Sequence, residues 1–72
     1  MNRLELEFAR RKRGFTKAEM AQAIGKSVVS YCKKERGAVK FSDNEKLIVA
    51  NKLELTPDQF NAIFFDGSIP NR

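Results

Sequence analysis

Residues 15–37 read FTKAEMAQAIGKSVVSYCKKERG, and this stretch predicts two short helices separated by a turn. Thr16 precedes Glu19 by three positions, which is the spacing of a capping box. In that motif the hydroxyl and the carboxylate satisfy the free backbone N–H groups at a helix start. We therefore expect a helix to begin near Lys17. Gly25 is expected to end it, because glycine adopts a left-handed backbone conformation at little cost.

The second helix of the pair is predicted to follow at once. Ser27 is a suitable N-cap for a helix through residues 28–34, and Gly37 provides the next stop signal. The helix that begins near Lys17 needs an apolar face to pack against the core. Its apolar residues recur at a spacing of three to four positions, so they lie on one side of the helix. These residues are Met20, Ala21 and Ile24.

Three further helices are predicted outside this stretch. Ser42 with Glu45 forms a second capping box, and Thr56 with Gln59 forms a third, with Pro57 in the first turn of the last helix. The apolar residues assigned to the three helices are Leu4, Leu6, Phe8 and Ala9; Leu47, Ile48, Ala50 and Leu53; and Phe60, Ile63 and Phe64. The fold class is therefore predicted to be all-α, with five helices.

Length and composition restrict the function. A chain of 72 residues is long enough for one domain, which we assign to residues 1–67, with the last helix ending at Asp66 and Gly67 and a short tail over residues 68–72. One cysteine and no histidine exclude an intramolecular disulfide and argue against a zinc site or a histidine-based catalytic centre. Because the sequence also lacks a nucleophile–base pair and a phosphate-binding loop, we expect neither an enzyme nor a cofactor.

The chain is expected to stay out of membranes. It has no apolar run of roughly 18 residues and no signal-peptide pattern, and its single thiol fits a reducing compartment. A chain of this size also offers too little volume for a sizeable small-molecule site. We therefore expect a soluble, cytoplasmic protein.

Basic charge is concentrated in the first part of the chain. Residues 1–40 hold eleven of the fourteen Lys and Arg but four of the nine acids, a net charge of +7, which leaves −2 for the remainder. The densest run is Arg10, Arg11, Lys12 and Arg13. Such a balance is typical of a protein that contacts phosphates, although basic residues also simply solvate helical surfaces.

The central stretch resembles the helix-turn-helix of the phage lambda-repressor and Cro-like family of DNA-binding domains. The residues that carry the resemblance are Thr16, Glu19, Met20, Ala21, Ile24, Gly25, Ser27, Tyr31, Glu35 and Gly37. The similarity extends over roughly residues 4–65. It implies a compact five-helix bundle in a bacterial cytoplasm, in which the second and third helices form the DNA-reading unit and the third enters the major groove.

The resemblance also implies roles for individual residues. Lys17 matches a position that is usually a phosphate-contacting glutamine, and the base-reading positions fall near the start of the third helix. Arg10 and Glu35 match positions that form an ion pair in the family. The full set of residues expected to bind DNA or a partner is Lys17, Lys26, Ser27, Val28, Val29, Ser30, Lys33, Arg36 and Lys40.

Several of these residue types are unusual for base reading. Valine can only pack against a thymine methyl group, so the third helix has few groups that distinguish bases. Val28 is expected to be exposed, whereas Val29 suits the core and the surface equally. An apolar patch flanked by Tyr31, Cys32 and lysines also suits contact with another protein. Lys26 and Lys34 replace residues that are commonly apolar in the family, and both are expected to snorkel towards solvent.

Two functional hypotheses follow. The chain is either a Cro-like transcription regulator that binds operator DNA, or a modulator that binds a repressor protein through the same helix, resembling the antirepressors of temperate phages. Both place it in a lysis–lysogeny type of switch; a regulator of a toxin–antitoxin system or of the host is a further alternative. A homodimer through residues 60–69 is a further expectation, because Phe64, Phe65 and Ile69 are too many apolar side chains for so small a core.

Overall fold

The computed structural model describes residues 1–65, which form five helices. They are α1 (Arg3–Lys12), α2 (Lys17–Ile24), α3 (Val28–Glu35), α4 (Asp43–Leu53) and α5 (Pro57–Phe64). No strand occurs among these residues, so the predicted all-α class is confirmed. The predicted end of the last helix at residues 66–67 and the tail at 68–72 lie outside the described residues. None of the five helices is long and apolar enough to span a bilayer.

Every helix begins at a polar N-cap. In each case the cap side chain accepts a hydrogen bond from the backbone N–H three residues further on. The three predicted capping boxes are confirmed, since both reciprocal bonds are present in the pairs Thr16–Glu19, Ser42–Glu45 and Thr56–Gln59. Replacing such a cap by alanine costs about 0.5–2 kcal/mol, so these short sequence motifs fix where the helices start.

Two of the helices end in the left-handed conformation. Gly25 has a φ of 71° after α2, as the sequence predicted, and a three-residue turn through Ser27 then leads into α3. Glu54 has a φ of 53° after α4, where a side chain makes this conformation unfavourable by roughly 1–2 kcal/mol.

The hydrophobic core draws on all five helices and on the loop before α4. Its buried apolar residues are Leu6, Met20, Ala21, Ile24, Tyr31, Phe41, Val49, Leu53, Ile63 and Phe64. Phe41 comes from the loop and links two helices, because its ring packs edge-on against Tyr31 at 6.1 Å and against Phe64 at 5.8 Å. The predicted face of α2 is confirmed in full.

The apolar residues assigned to α1 and α4 are not all buried. Leu4, Phe8 and Leu47 were assigned to the helices as apolar residues, yet they are 65%, 63% and 58% exposed. On α1 the apolar residues point in several directions around the axis, and Leu6 is the one that is fully buried. On α4 the buried apolar residues are Leu53, which the sequence analysis assigned to this helix, and Val49, which it did not. Only one side of each helix can face so small a core.

Candidate interaction surface around α3

The nine residues predicted to bind DNA or a partner are all accessible. We call this set the α3 surface: Lys17, Lys26, Ser27, Val28, Val29, Ser30, Lys33, Arg36 and Lys40. Eight of them are exposed and Ser30 is half-buried. They come from the start of α2, the turn, α3 and the loop that follows. Lys17 and Arg36 lie close together, because both line one hollow of about 200 Å³ with Cys32 and Glu35.

Lys40 lies apart from that hollow. It lines a different groove, of about 370 Å³, with Phe41 and Phe64 from the loop and from α5. The nine residues therefore do not line a single cavity.

The outward side of α3 has an apolar residue followed by cations. Tyr31, Lys34 and Glu35 are the buried residues of the helix, so they define its inner side. Val29, Lys33 and Arg36 recur at the three-to-four-residue spacing of a helix and lie on the other side. Val29 is 65% exposed, so the choice left open between core and surface falls on the surface. Val28 is 44% exposed, as the sequence reading expected.

Tyr31 corrects the predicted composition of the exposed patch. It was expected to flank the valines, but its side chain is fully buried against Phe41. Burial disfavours a charged phenolate and raises the pKa of Tyr31 far above its ordinary value, and the nearby Glu35 carboxylate raises it further. The hydroxyl nevertheless makes no hydrogen bond of good geometry within residues 1–65. Tyr31 therefore belongs to the core and presents nothing to a ligand.

The side chain of Lys34 also lies differently from what the sequence predicted. It was expected to snorkel towards solvent, but its ammonium group turns inward and forms a buried ion pair. The Nζ atom donates to the Glu45 carboxylate at 2.9 Å and to the Lys40 carbonyl at 3.2 Å. Burial by itself would raise the pKa of Glu45, but the hydrogen bonds from Lys34 and from the Ser42 N–H outweigh it, so the pKa is lowered. Lys34 thus ties α3 to the start of α4, whereas Lys26 is exposed.

Arg10 and Glu35 lie together in a second buried ion pair, between α1 and α3. Arg10 Nε donates to one carboxylate oxygen at 2.9 Å and Nη2 to the other at 3.3 Å, while Nη1 reaches the Phe15 carbonyl at 2.8 Å. Both side chains are only 7% exposed. The guanidinium is therefore fixed inside the protein and is not available to a phosphate.

The rest of the basic run is also largely occupied within the protein. Arg11 forms an ion pair with Glu7 at 2.7 Å, one helical turn away. Arg13 donates from Nε to the Leu53 carbonyl at 3.0 Å and lies 3.7 Å from the Glu54 carboxylate. The densest basic segment of the sequence therefore supports the fold at α1 and at the end of α4.

The cations of the α3 surface behave differently. None of these five side chains forms an ion pair with any residue among 1–65: Lys17, Lys26, Lys33, Arg36 and Lys40. Their charged groups are exposed to solvent and counterions, which an anionic ligand would displace. Of this distinction between paired and unpaired cations, the resemblance implied only the Arg10–Glu35 pair.

Two serines complete the start of α3. The Ser27 hydroxyl oxygen accepts from the Ser30 N–H at 3.1 Å as the N-cap, which leaves its own O–H free to donate outward. No group of three or more Cys, Asp or Glu side chains within residues 1–65 is placed to hold a metal ion. The surface therefore offers cations, two hydroxyls and two valines as its binding groups.

Comparisons of the chain with protein-family models, with curated proteins and with solved structures find no match.

Proposed function

We propose that this chain is a transcription regulator that binds double-stranded DNA through the α3 surface, with α2 and α3 acting as a helix-turn-helix. The observation that carries the proposal is the set of five exposed cations around α3 that have no ion-pair partner among residues 1–65. Lys and Arg that contact phosphates supply most of the affinity of such proteins for DNA, because each contact releases condensed counterions.

In this proposal the residues of the α3 surface have different tasks. Lys17 at the start of α2 and Arg36 at the end of α3 line the same hollow, and in this proposal both contact phosphates. Val29 and Lys33 occupy the outward side of α3, where they face base edges when the helix enters a major groove. Valine packs against a thymine methyl and lysine donates to guanine, so discrimination between bases is limited.

The two exposed valines favour a second candidate function, which is binding to another protein. Val28 and Val29 form an apolar element on an otherwise basic surface, and apolar centres with polar rims are typical of protein interfaces. In this alternative the same surface binds a repressor protein of the genetic switch and alters the binding of that repressor to its operator. The chain would then act as a modulator or antirepressor.

A binding titration distinguishes the two candidates. We would measure fluorescence anisotropy of labelled operator-like and random duplexes at about 50 mM and about 200 mM salt, first with the chain alone and then with the repressor added. Tight, sequence-dependent binding by the chain alone supports the DNA-binding regulator. Binding that appears, or repressor that dissociates, only when both proteins are present supports the modulator.

A matched pair of variants tests whether the α3 surface is responsible. Val29→Glu places an anion at the centre of the surface, whereas Leu47→Glu makes the same change at a similarly exposed position on α4. We expect the first variant to lose binding and the second to retain it. Equal binding by both variants would contradict the assignment of the surface.

A further inference from the structure

The outer side of α1 presents two large apolar side chains that the core does not use. Leu4 is 65% exposed and Phe8 is 63% exposed. They are four positions apart, so they lie one above the other on the same side of the helix. Leu6 and Arg10 are the buried residues of α1, which leaves the Leu4 and Phe8 side facing outward.

A shallow hollow adjoins Phe8. It has a volume of about 80 Å³ and lies between α1, the end of α4 and α5. Ala9, Leu53, Leu55 and Ile63 supply its apolar lining, with charged side chains at its rim. The exposed apolar side of α1 is therefore next to a depression that can receive an apolar side chain.

The charges on this side of α1 are arranged with opposite signs at the two ends. Glu7 and Arg11 already neutralise each other at 2.7 Å. Glu5 and Lys12 are both exposed, and neither side chain forms an ion pair with a residue among 1–65. They are seven positions apart, so they project from the same flank of the helix about two turns from each other.

We propose that the Leu4 and Phe8 side of α1 is a self-association surface, on which a second copy of this chain docks with its own α1 antiparallel. A two-fold axis brings the same flank of the two helices together, because an isologous interface uses one patch twice. With the axis next to Phe8, Glu5 faces Lys12 of the partner subunit, and the reciprocal pair forms by symmetry. The apolar side chains then cover one another between the two ion pairs.

Charge identifies a second copy as the occupant. The whole chain carries a net charge of +5, which opposes association of two copies through most of its surface. The α1 face avoids this repulsion because Glu5 and Glu7 balance Arg11 and Lys12, while Arg10 is buried against Glu35. When two copies of α1 pack antiparallel, opposite charges face each other across the interface. When they pack parallel, like charges face each other.

The predicted dimer surface at the end of α5 is less suitable within the described residues. Of the three apolar residues named for that surface, Phe64 is buried, whereas Phe65 is exposed but packs on Phe60, with its ring centroid 5.2 Å from Lys46 Nζ. Ile69 lies outside the described residues. The α1 inference is independent of the proposed function, because no residue of the α3 surface belongs to α1 or lines the hollow next to Phe8.

Sedimentation equilibrium of the full chain tests this inference. We expect a weak monomer–dimer equilibrium, between about 10 µM and about 1 mM, because small interfaces of the kind formed by two apolar side chains and one ion pair from each copy are weak. Phe8→Glu should weaken dimerisation at least about tenfold, and Phe8→Ala should weaken it less. Leu47→Glu is the matched control and should dimerise as the unmodified chain does. A chain that stays monomeric throughout, or a Phe8→Glu variant that dimerises normally, would overturn the proposal.

A charge exchange tests the antiparallel register. Glu5→Lys and Lys12→Glu should each weaken dimerisation, and the double variant should restore it. Lys12→Glu is the more informative single change, because it lowers the net charge of the chain and would strengthen a non-specific association. Stronger association of Lys12→Glu, or a double variant that remains as weak as the single ones, would refute the proposed pairing. Circular dichroism of each variant verifies that it is folded.

Discussion

The two basic regions of this protein, the run at residues 10–13 and the cations around α3, are both rich in Lys and Arg but differ in what their side chains contact. Arg10 and Arg13 are bonded to groups on other elements, and Arg11 is bonded to Glu7 within α1. The five cations of the α3 surface have no ion-pair partner among residues 1–65. The denser region therefore stabilises the fold, and the sparser one is available to a ligand.

The difference arises from helical geometry. Four consecutive residues on a helix point about 100° apart, so a contiguous run is distributed around the whole circumference. Arg10 points towards α3 and is buried, whereas Arg11 points outward and is 70% exposed. Charge density along a sequence consequently does not measure the charge that a surface presents to a ligand.

The largest expected effect is a difference in stability between substitutions of Arg10 and of its neighbour Arg11. Arg10→Met leaves the Glu35 carboxylate buried without its partner and should destabilise the protein by about 3–5 kcal/mol. Arg11→Met removes an exposed ion pair and should cost about 0–1 kcal/mol. Urea denaturation of both variants, followed by circular dichroism, measures the free energies of unfolding. Similar losses of unfolding free energy in the two variants would show that the buried Arg10–Glu35 pair matters no more to stability than the exposed Arg11–Glu7 pair.

The second buried pair should make stability depend on acid pH. The folded-state pKa of Glu45 is lowered, so its contribution is fully present above the unfolded pKa and is lost as the pH falls through the folded value. Glu45→Gln should cost about 1–3 kcal/mol at neutral pH, since a glutamine oxygen can still accept from Lys34.

The same variant should also flatten the pH dependence below about pH 4.5, the pH at which an ordinary glutamate is about half protonated. Unfolding free energies measured between about pH 2 and pH 7 test both expectations. Asp43→Asn is the control, because Asp43 is a fully exposed carboxylate in the same helical turn. An unchanged slope in Glu45→Gln would contradict the assignment.

A smaller effect is expected at the end of the basic run. Arg13→Ala removes the hydrogen bond to the Leu53 carbonyl at the C-terminal end of α4 and should cost about 1 kcal/mol. Lys12→Ala, its neighbour, removes an exposed ammonium group and should change stability by less than about 0.5 kcal/mol. Thermal unfolding of the two variants tests the difference. A larger loss of stability in Lys12→Ala than in Arg13→Ala would contradict a stabilising role for the hydrogen bond from Arg13 to the Leu53 carbonyl.

The smallest effect concerns ligand binding and depends on the proposed DNA-binding function. Lys33→Ala should reduce the slope of log affinity against log salt by about one unit, because one phosphate contact is lost. Arg11→Ala should leave that slope unchanged, although it removes the same charge. Anisotropy titrations at several salt concentrations provide the slopes. Equal reductions would indicate that the two basic regions contribute alike to a diffuse electrostatic attraction.

The helix starts could be predicted from the sequence because the interactions that fix them are local. Each cap joins residues three positions apart, and the left-handed turn after α2 needs only Gly25. The faces of α1 and α4 could not be predicted equally well, since several apolar residues on each helix compete for one buried side. The core selects Leu6 over Leu4 and Phe8, and Val49 over Leu47.

The candidate surface was predicted in composition but not in its details. All nine residues of the α3 surface are accessible, but the sequence left Val29 undecided and placed Tyr31 on the surface. The rotation of α3 about its axis decides both positions: Tyr31 and Glu35 point towards the core and Val29 points away. That rotation depends on Phe41 and Arg10, which belong to other elements, so no pattern within α3 specifies it.

The sequence by itself determined five helices, the turn at Gly25 and a basic first part, because these properties depend on residues within about four positions of each other or on composition. Only the tertiary structure decided which cations are occupied and which are available. The Lys34–Glu45 pair joins residues 11 positions apart and the Arg10–Glu35 pair joins residues 25 positions apart. Such pairs form because packing of the helices removes water from both partners, and this depends on the whole fold.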